Sequence, residues 1–172
     1  MPQLRIRVAD SGDRDLVIGL LASAARWLRS RGIDYWQNWL APPAHHLAWV
    51  DEGLSRGEFR ILEIGDEIVG CLRLQYDDEL FWGSRLERAG YIHSLTVDRR
   101  LAGRGFGRAA LDLVGRSLLD KGVGLIRLDC GIGVTGLRAY YESLGFEAVG
   151  TTTVDGEELV LYERDLSGVF DR

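Results

Sequence analysis

Three glycines at alternate positions follow an apolar, strand-like run, and a helix-like segment begins directly after them. They are Gly103, Gly105 and Gly107, and the strand-like run ends at Val97. Because glycine has no Cβ atom, the backbone there turns tightly and successive N–H groups point outward. The positive end of the following helix also favours an anion. The sequence therefore predicts a loop over residues 103–108 that binds a diphosphate.

Length and composition predict a globular protein with one domain over residues 1–172. The chain is 46% hydrophobic and 27% charged, as is typical of such proteins. Its formal net charge of −5 argues against a nucleic acid or an anionic membrane as partner and agrees with a cationic small molecule. The apolar stretch over 16–25 is too short to span a bilayer and follows an acidic segment. We therefore expect a cytoplasmic location and no membrane partner.

Cysteine and histidine positions indicate neither a metal site nor a disulfide. Cys71 and Cys130 lie in separate strand-like runs, which predicts two buried, reduced thiols. The three histidines and two cysteines lack the spacing of metal ligands, so we expect no metal. The glycines are not followed by a lysine, as they are in loops that bind nucleoside triphosphates.

Hydrophobic periodicity predicts alternating strands and helices. Strands are expected over 4–8, 59–64, 68–75, 91–97, 125–130 and 159–163. Helices are expected over 16–28, 45–54 and 137–144, and another directly after the glycine loop. The first helix has Ser11 and Asp13 as candidate caps at its start and Gly32 as its stop signal.

The order of these elements predicts the fold class. Gly65 and Asp66 form a turn signal between two strand patterns, which predicts an early antiparallel hairpin. Later strands alternate with helices, which is typical of strand–helix–strand units. Together they predict a single-domain α/β (α+β) fold with a mixed and largely antiparallel central sheet flanked by helices.

A dinucleotide is one ligand that fits the glycine loop. Residues 105–110 match the pattern GxGxxA, and Asp129 follows at about the distance expected of a ribose-binding acid. This reading implies an oxidoreductase. In that fingerprint, however, the first glycine follows the strand at once, whereas residues 98–102 intervene here. The chain after the loop is also short for a doubly wound sheet, so this reading is the weaker alternative.

Residues 91–146 resemble the GNAT superfamily of acyl-CoA-dependent N-acyltransferases. In that family a strand ending like LTVD leads to a loop of the form (Q/R)xxGx(G/A). The two glycines of that pattern match Gly105 and Gly107, which places Ala102 where the family has Gln or Arg. A register that starts at Arg100 and uses Gly103 shifts the loop relative to the strand, so the first register is preferred.

The segment AYYESLGF, residues 139–146, resembles the family's helix that ends at a Gly-Phe pair before the next strand. Tyr141 precedes Gly145 by four residues, the spacing at which such enzymes carry a tyrosine near the cofactor sulfur. The family's asparagine that contacts the pantetheine arm is replaced here by Val134.

The resemblance implies acetyl-CoA as acyl donor and no metal. The residues that it assigns to cofactor binding are Leu95, Thr96, Val97, Ala102, Gly103, Arg104, Gly105, Phe106, Gly107, Arg108 and Val134. Backbone groups of residues 95–97 are expected to pair with the amides of the pantetheine arm, much as an added strand would. A backbone N–H of this strand would stabilise the oxyanion that forms when an amine attacks the thioester.

Proton transfer requires an acid and a base. Tyr141 is predicted to protonate the departing thiolate, although Tyr140 and Tyr141 can also be read as packing against the sheet. His93, two residues before Leu95, is predicted to accept the proton of the amine, with a hydrogen-bonded core histidine as the alternative. Asp129 is the second candidate for that role.

Aromatic residues suggest where the acceptor binds. Trp36 and Trp39 fall in an irregular connection that lines the acceptor cleft in GNAT-like folds, and aromatic faces can hold a cation. His93 and Asp129 are predicted to contact the acceptor as well. The acidic run over residues 77–79 would add charge complementarity for a cationic acceptor. The alternative is that the tryptophans only cover the core and that the acidic residues form a solvated loop.

The sequence thus favours an N-acetyltransferase that transfers an acetyl group from acetyl-CoA to a primary amine of a small molecule or peptide. Transfer would occur by direct attack in a ternary complex. The alternatives are a dinucleotide-dependent oxidoreductase and a non-catalytic CoA-binding regulatory module, the latter suggested by Ala102 and Val134. The acceptor, the acyl length and the oligomeric state stay open, with a homodimer as one option.

Overall fold

The computed structural model describes residues 3–170. Within them the strands are β1 (Leu4–Val8), β2 (Phe59–Ile64), β3 (Glu67–Gln75), β4 (Ala89–Val97), β5 (Leu125–Gly131), β6 (Glu147–Val154) and β7 (Glu157–Asp165). The α-helices are α1 (Arg14–Ser30), α2 (Ala44–Ser55), α3 (Glu79–Trp82), α4 (Phe106–Asp120) and α5 (Thr135–Ser143).

The strands form one seven-stranded sheet in the order β1-β2-β3-β4-β5-β7-β6. Strands β4 and β5 are parallel, whereas the pairs β1–β2, β2–β3, β5–β7 and β6–β7 are antiparallel. This confirms the predicted fold class, an α/β fold with a mixed and largely antiparallel sheet. A dinucleotide-binding enzyme of the doubly wound type would need a mostly parallel sheet, which this sheet is not.

The chain divides into two compact units. The first comprises residues 3–74 and 94–110, and the second comprises 75–93 and 111–170. Strand β4 and helix α4 each contribute residues to both units. That residues 1–172 form one domain therefore stays a prediction.

The core of the first unit forms because α1 and α2 carry apolar side chains at helical spacing. Val17 and Leu21 of α1, Val50 of α2, and Phe59 and Ile61 of β2 have no exposed surface. Burying each such side chain contributes about 1.5–3 kcal/mol of transfer free energy. This cluster anchors the helices to the β1–β2–β3 side of the sheet.

The start of α1 differs from its prediction. The Asp10 carboxylate accepts the N–H of Gly12 at 2.8 Å, and the Asp13 carboxylate accepts the N–H of Asp10 at 3.0 Å. Asp10 therefore caps a short 3₁₀ turn before the helix, and Ser11 lies within that turn. Asp13 stands at the N-cap position of α1, as predicted, but its side chain makes no capping hydrogen bond to the helix. The predicted stop is confirmed, since Gly32 has φ +71° just after the helix end.

In the second unit, helix α4 packs closely on β4. A Cβ atom on Gly90 would lie 2.6 Å from Leu118 Cδ1, so any larger residue there would force the Leu118 side chain to move. Arg127 is 2% exposed and donates to Glu163 at 2.7 Å and to the Tyr91 hydroxyl at 2.8 Å. These contacts satisfy a buried charge and tie β5 to its neighbours.

Periodicity does not reveal α3 and β6. Helix α3 is a single turn, too short to show an apolar face. Strand β6 lies at the edge of the sheet and is largely exposed, so its side chains do not alternate between apolar and polar. The resemblance does anticipate β6, as the strand that follows Phe146.

Two further sequence expectations concern the cysteines and the membrane. Cys71 and Cys130 are buried free thiols, as predicted. No helix in residues 3–170 combines the length and the apolar composition needed to cross a bilayer.

Gly70 of β3 permits a close approach to the end of β4. A Cβ atom there would overlap the carbonyl oxygen of Thr96, which is backbone and cannot rotate away. Gly70→Ala is therefore expected to lower the free energy of unfolding by about 1–3 kcal/mol, the usual cost of overpacking. Urea denaturation measures this change.

Gly19→Ala is the matched control. Gly19 lies on the exposed side of α1, and a Cβ atom added there would have no other atom within 4 Å. Alanine at this position should raise the free energy of unfolding by about 0.5–1 kcal/mol. A Gly70→Ala variant as stable as the wild type would contradict the close approach of β3 to β4.

Candidate active site

The glycine loop of the first unit ends in the first turn of α4. Gly103 and Gly105 have φ +78° and +80°, a conformation that glycine adopts at little cost. The N–H of Ala109 donates to the Gly105 carbonyl at 3.0 Å, which begins the helical hydrogen bonds. The N–H groups of Phe106 and Gly107 therefore have no acceptor within the helix. No acidic residue stands in this turn, so the helix end favours an anion.

The segment before the loop is held in place by Asp98. Its backbone N–H donates to the Val69 carbonyl of β3 at 2.8 Å. Its carboxylate accepts the backbone N–H of Arg100 at 2.9 Å and the guanidinium of the same residue at 2.6 Å. These hydrogen bonds hold the pKa of Asp98 below its usual value. Asp98 thus fixes where the 3₁₀ turn Arg99–Leu101 leaves the strand.

The side chains around the glycine loop supply positive charge from two arginines. Arg104 and Arg108 are exposed, and no acid follows them before Asp112. Ala102 is exposed at the position where the family pattern has Gln or Arg. A diphosphate at this loop would therefore be bound mainly by backbone N–H groups and by arginine charge.

The end of β4 departs from regular strand geometry. Ser94 has φ +55°, a left-handed conformation that costs a non-glycine residue on the order of 1 kcal/mol and is typical of functional positions. Thr96 is buried, and its Oγ1 has no hydrogen-bond partner within residues 3–170. Leu95 and Val97 are half-buried. The strand is therefore kinked directly before the residues predicted to bind the pantetheine arm.

In the second unit, the parallel pairing of β4 and β5 brings His93 and Asp129 together. Tyr91 lies opposite Arg127 in the register, and His93 and Asp129 each follow by two residues, on the same face of the strands. His93 Nδ1 lies 3.7 Å from Asp129 Oδ2.

The segment over residues 78–82 adds two side chains that contact His93. Asp78 Oδ2 lies 2.8 Å from His93 Nε2, and the Phe81 ring centroid lies 4.8 Å from that of His93. We call Asp78, His93 and Asp129 the acid–histidine cluster. The sequence indicated the acidic run over 77–79 only as charge near the acceptor and did not predict that Asp78 contacts His93. Phe81 was not predicted at all, and the two aromatics that follow the acidic run were the available signal.

The acid–histidine cluster is buried and rich in negative charge. Its side chains are between 6% and 10% exposed. Burial raises the pKa of Asp129 to about 6, with His93 opposing this shift and Asp78 adding to it. Asp129 Oδ2 accepts no hydrogen bond from the part of the chain that the structure describes. Two carboxylates beside one imidazole favour a cation such as an ammonium group and can take up its proton.

A metal ion is the other cation to consider. The ligand atoms of the cluster lie within 4.8 Å of one another. However, Asp78 approaches Nε2 of the imidazole whereas Asp129 approaches Nδ1. Because each imidazole nitrogen faces a carboxylate of its own, the arrangement is suited to proton transfer.

Tyr141 lies on α5 and is 6% exposed. Its ring packs against those of Phe146 and Tyr162, with centroids 5.8 and 6.2 Å away. The Tyr162 hydroxyl donates to Glu142 at 2.8 Å, which anchors this helix to β7. Val134, at the residue before α5, is 9% exposed and offers no polar side chain.

The two tryptophans predicted to contact the acceptor lie in the first unit. Trp39 is 7% exposed and packs in the core, 6.4 Å from Trp49 between ring centroids. Trp36 is half-buried and has φ +62°, which is unusual for a bulky residue. Packing accounts for Trp39, and substrate contact by either tryptophan stays a prediction.

The raised pKa of Asp129 predicts a pH-dependent stability. A carboxyl whose pKa is higher in the folded state than in the unfolded chain favours folding at low pH, and this advantage is lost as pH rises through about 6. Asp129→Asn removes the buried charge. The free energy of unfolding of the variant minus that of the wild type should therefore increase between about pH 4 and pH 7.5, by up to about 3 kcal/mol.

Urea denaturation at several pH values measures this difference. Asp66→Asn, at the exposed turn between β2 and β3, serves as control and should give a difference that does not change with pH. A flat curve for Asp129→Asn would show that the Asp129 carboxylate is not destabilised in the folded protein.

Comparison with known proteins agrees with this geometry. The model of the acetyltransferase (GNAT) family matches residues 21–146. An uncharacterised N-acetyltransferase of Bacillus subtilis, YesJ, is 27% identical over 160 residues, which cover 90% of this chain and 86% of that protein.

Solved structures show the same fold. A GNAT-family acetyltransferase from Listeria monocytogenes has a TM-score of 0.76 at 23% identity, with 94% of each chain covered. One from Streptococcus agalactiae has a TM-score of 0.78 at 16% identity, covering 96% of this chain and 97% of the other. The resemblance found in the sequence is confirmed, and this chain belongs to the GNAT acetyltransferase family.

Proposed function

We propose that this protein transfers an acetyl group from acetyl-CoA to a primary amine of a small molecule or peptide. The observation that carries the proposal is the loop at Gly103 and Gly105, which leads directly into the first turn of α4, where the N–H groups of Phe106 and Gly107 have no acceptor within the helix. Such a loop suits a diphosphate, and CoA is the diphosphate carrier that a GNAT acetyltransferase uses.

Backbone groups account for most of the proposed cofactor contacts. The amides of residues 103–108 bind the diphosphate, and Arg104 and Arg108 add positive charge. The backbone of Leu95, Thr96 and Val97 pairs with the amides of the pantetheine arm. Val134 and Ala102 contribute shape rather than hydrogen bonds, because their side chains are apolar. Acetyl-CoA supplies the activated acyl group, and no covalent enzyme intermediate is needed.

The side chains supply the proton transfers. His93, supported by Asp129, accepts a proton from the ammonium form of the acceptor, which frees the lone pair for attack on the thioester carbonyl. A backbone N–H near Leu95 stabilises the resulting oxyanion. Tyr141 gives its proton to the departing thiolate. The carboxylates of the acid–histidine cluster and the net charge of −5 favour a cationic acceptor.

Tyr141→Phe tests the proposed acid. Loss of the hydroxyl should lower kcat by on the order of 10²-fold or more, because the thiolate then leaves unprotonated. The KM for acetyl-CoA should change by less than about twofold. Steady-state kinetics with a thiol reagent gives both values.

Tyr140→Phe is the matched control, since Tyr140 is the adjacent residue of α5 and is 36% exposed. It should leave kcat unchanged. Equal activity of the Tyr141→Phe variant and the wild type would remove Tyr141 from the mechanism.

Gly105→Ala tests the loop. Alanine at φ +80° is strained, and relief of the strain turns the neighbouring N–H groups away from the diphosphate. The Kd for acetyl-CoA should rise about tenfold, which corresponds to about 1.4 kcal/mol. Isothermal titration calorimetry measures it.

Gly122→Ala is the control for strain alone. Gly122 has φ +71° after the end of α4, with no atom within 4 Å of an added Cβ, so alanine there carries a similar strain. Its Kd for acetyl-CoA should match that of the wild type. Equal Kd values for Gly105→Ala and Gly122→Ala would argue against diphosphate binding at the loop.

The function itself is tested by calorimetry with acetyl-CoA and by release of free thiol in the presence of an amine panel. Binding together with thiol release supports the acetyltransferase. Binding of acetyl-CoA without release from any amine would favour the regulatory module, and binding of NAD instead would favour the oxidoreductase. Release that is unchanged by EDTA is expected if no metal takes part.

A further inference from the structure

Asp78 is the one member of the acid–histidine cluster that does not lie on a strand. It directly precedes α3, and its carbonyl accepts the N–H of Trp82 at 2.9 Å, which closes this single turn. Its carboxylate is 6% exposed and lies 2.8 Å from His93 Nε2. A buried carboxylate at this distance from an imidazole nitrogen is a strong hydrogen-bond acceptor.

This contact determines which imidazole nitrogen carries hydrogen. An ionised carboxylate can only accept hydrogen bonds, so the nitrogen that faces Asp78 must be the donor. A neutral imidazole has one N–H, and the lone pair is then on the other nitrogen. In this cluster the other nitrogen is Nδ1, which lies 3.7 Å from Asp129 Oδ2.

We propose that Asp78 is a positioning residue that holds His93 with its hydrogen on Nε2, so that Nδ1, beside Asp129, is the atom that accepts the proton of the acceptor amine. This inference rests on the proposed function for the proton-transfer step. The tautomer that it assigns to His93 can be measured without any substrate.

The proton balance of the step follows from this arrangement. The ammonium form of the acceptor loses one proton to Nδ1 and becomes the neutral amine, and His93 becomes the imidazolium. Both N–H groups of the imidazolium then face carboxylates, Asp78 at Nε2 and Asp129 at Nδ1. The neutral amine attacks the thioester carbonyl and the C–S bond breaks. Tyr141 protonates the departing thiolate and is reprotonated with the second proton that the nitrogen loses as the amide forms, while the proton on Nδ1 passes to solvent.

The charges that face His93 are suited to this cycle. The charged groups that shift the pKa of Asp129 are His93 and Asp78, and burial raises that pKa to about 6. Asp129 is therefore mostly ionised above neutral pH, where it can balance the positive charge of the imidazolium. The Phe81 ring lies against the imidazole at 4.8 Å between centroids and shields the pair from water.

The first experiment determines the tautomer of His93 by two-bond ¹H–¹⁵N correlation spectroscopy of the labelled protein. The spectrum is recorded at about pH 8.5, where an ordinary imidazole is neutral. The three histidines are distinguished with the variant His93→Gln. We expect Nε2 to carry the hydrogen and Nδ1 to show the shift of an unprotonated nitrogen. A wild-type spectrum with the hydrogen on Nδ1 would overturn the proposal without any need for a variant.

Asp78→Ala should abolish this preference, since no acceptor then faces Nε2, and give a mixture of tautomers. Asp77→Ala is the matched control, because Asp77 is the preceding acidic residue and is exposed. It should leave the spectrum of His93 unchanged. An unaltered tautomer in a folded Asp78→Ala variant would also overturn the proposal.

The second experiment measures thiol release with the amine that the panel identifies as the best acceptor. Asp78→Ala should lower kcat on the order of 10²-fold with little change in the KM for acetyl-CoA. In a His93→Gln background the same substitution should cause no further loss, because Asp78 acts through His93. An equal loss in both backgrounds would show a merely structural role and overturn the proposal. Failure of the proposed function would instead appear as no thiol release from the wild type with any amine.

Discussion

The parallel pairing of β4 with β5 is the constraint on which the candidate site depends. In a largely antiparallel sheet, this pair alone among the described registers is parallel, and it runs from Ala89 opposite Leu125 to Ile92 opposite Leu128, so that His93 and Asp129 follow it on neighbouring strands. Ligands of α/β proteins commonly bind at such ends. The glycine loop follows the end of β4, and α5 follows the end of β5, so the topology brings each proposed functional segment directly after one of these two strands.

Two successive pairs of neighbouring positions on β4 and β5, here called levels, differ in how their buried charges are balanced. At the first level, Arg127 is paired with Glu163 and bonded to Tyr91, so every buried charge has a partner. At the next level, His93 faces two carboxylates, and one oxygen of Asp129 is left without a hydrogen bond from the described residues. Full pairing is what stability favours, whereas an excess of buried negative charge is costly. The second level is therefore better explained by function than by folding.

Sequence reasoning succeeded where a pattern is local. The strands at 4–8 and 59–64 have the predicted bounds, because strong apolar runs end at clear turn residues. His93 and Asp129 were both recognised as candidates, but not as neighbours, since their contact depends on the register of β4 and β5. Asp78 was recognised only as part of an acidic run, and its contact with His93 was not predicted because it spans 15 residues of chain and starts at a single helical turn that has no periodicity. Contacts of this kind become visible only once the strands are paired.

The chain departs from the family pattern at two side chains but keeps the backbone conformation of the glycine loop. Ala102 stands where the family pattern has Gln or Arg, and Val134 where it has Asn, yet the left-handed glycines of the loop still lead directly into the first turn of α4. A ligand bound by backbone amides tolerates side-chain replacement, because any sequence that forms the same turn presents the same donors. Acceptor recognition would have no such protection, because the proposed proton transfer depends on side chains such as Asp78, His93 and Asp129. One scaffold can therefore keep a loop built from backbone groups while the acceptor changes with the side chains around it.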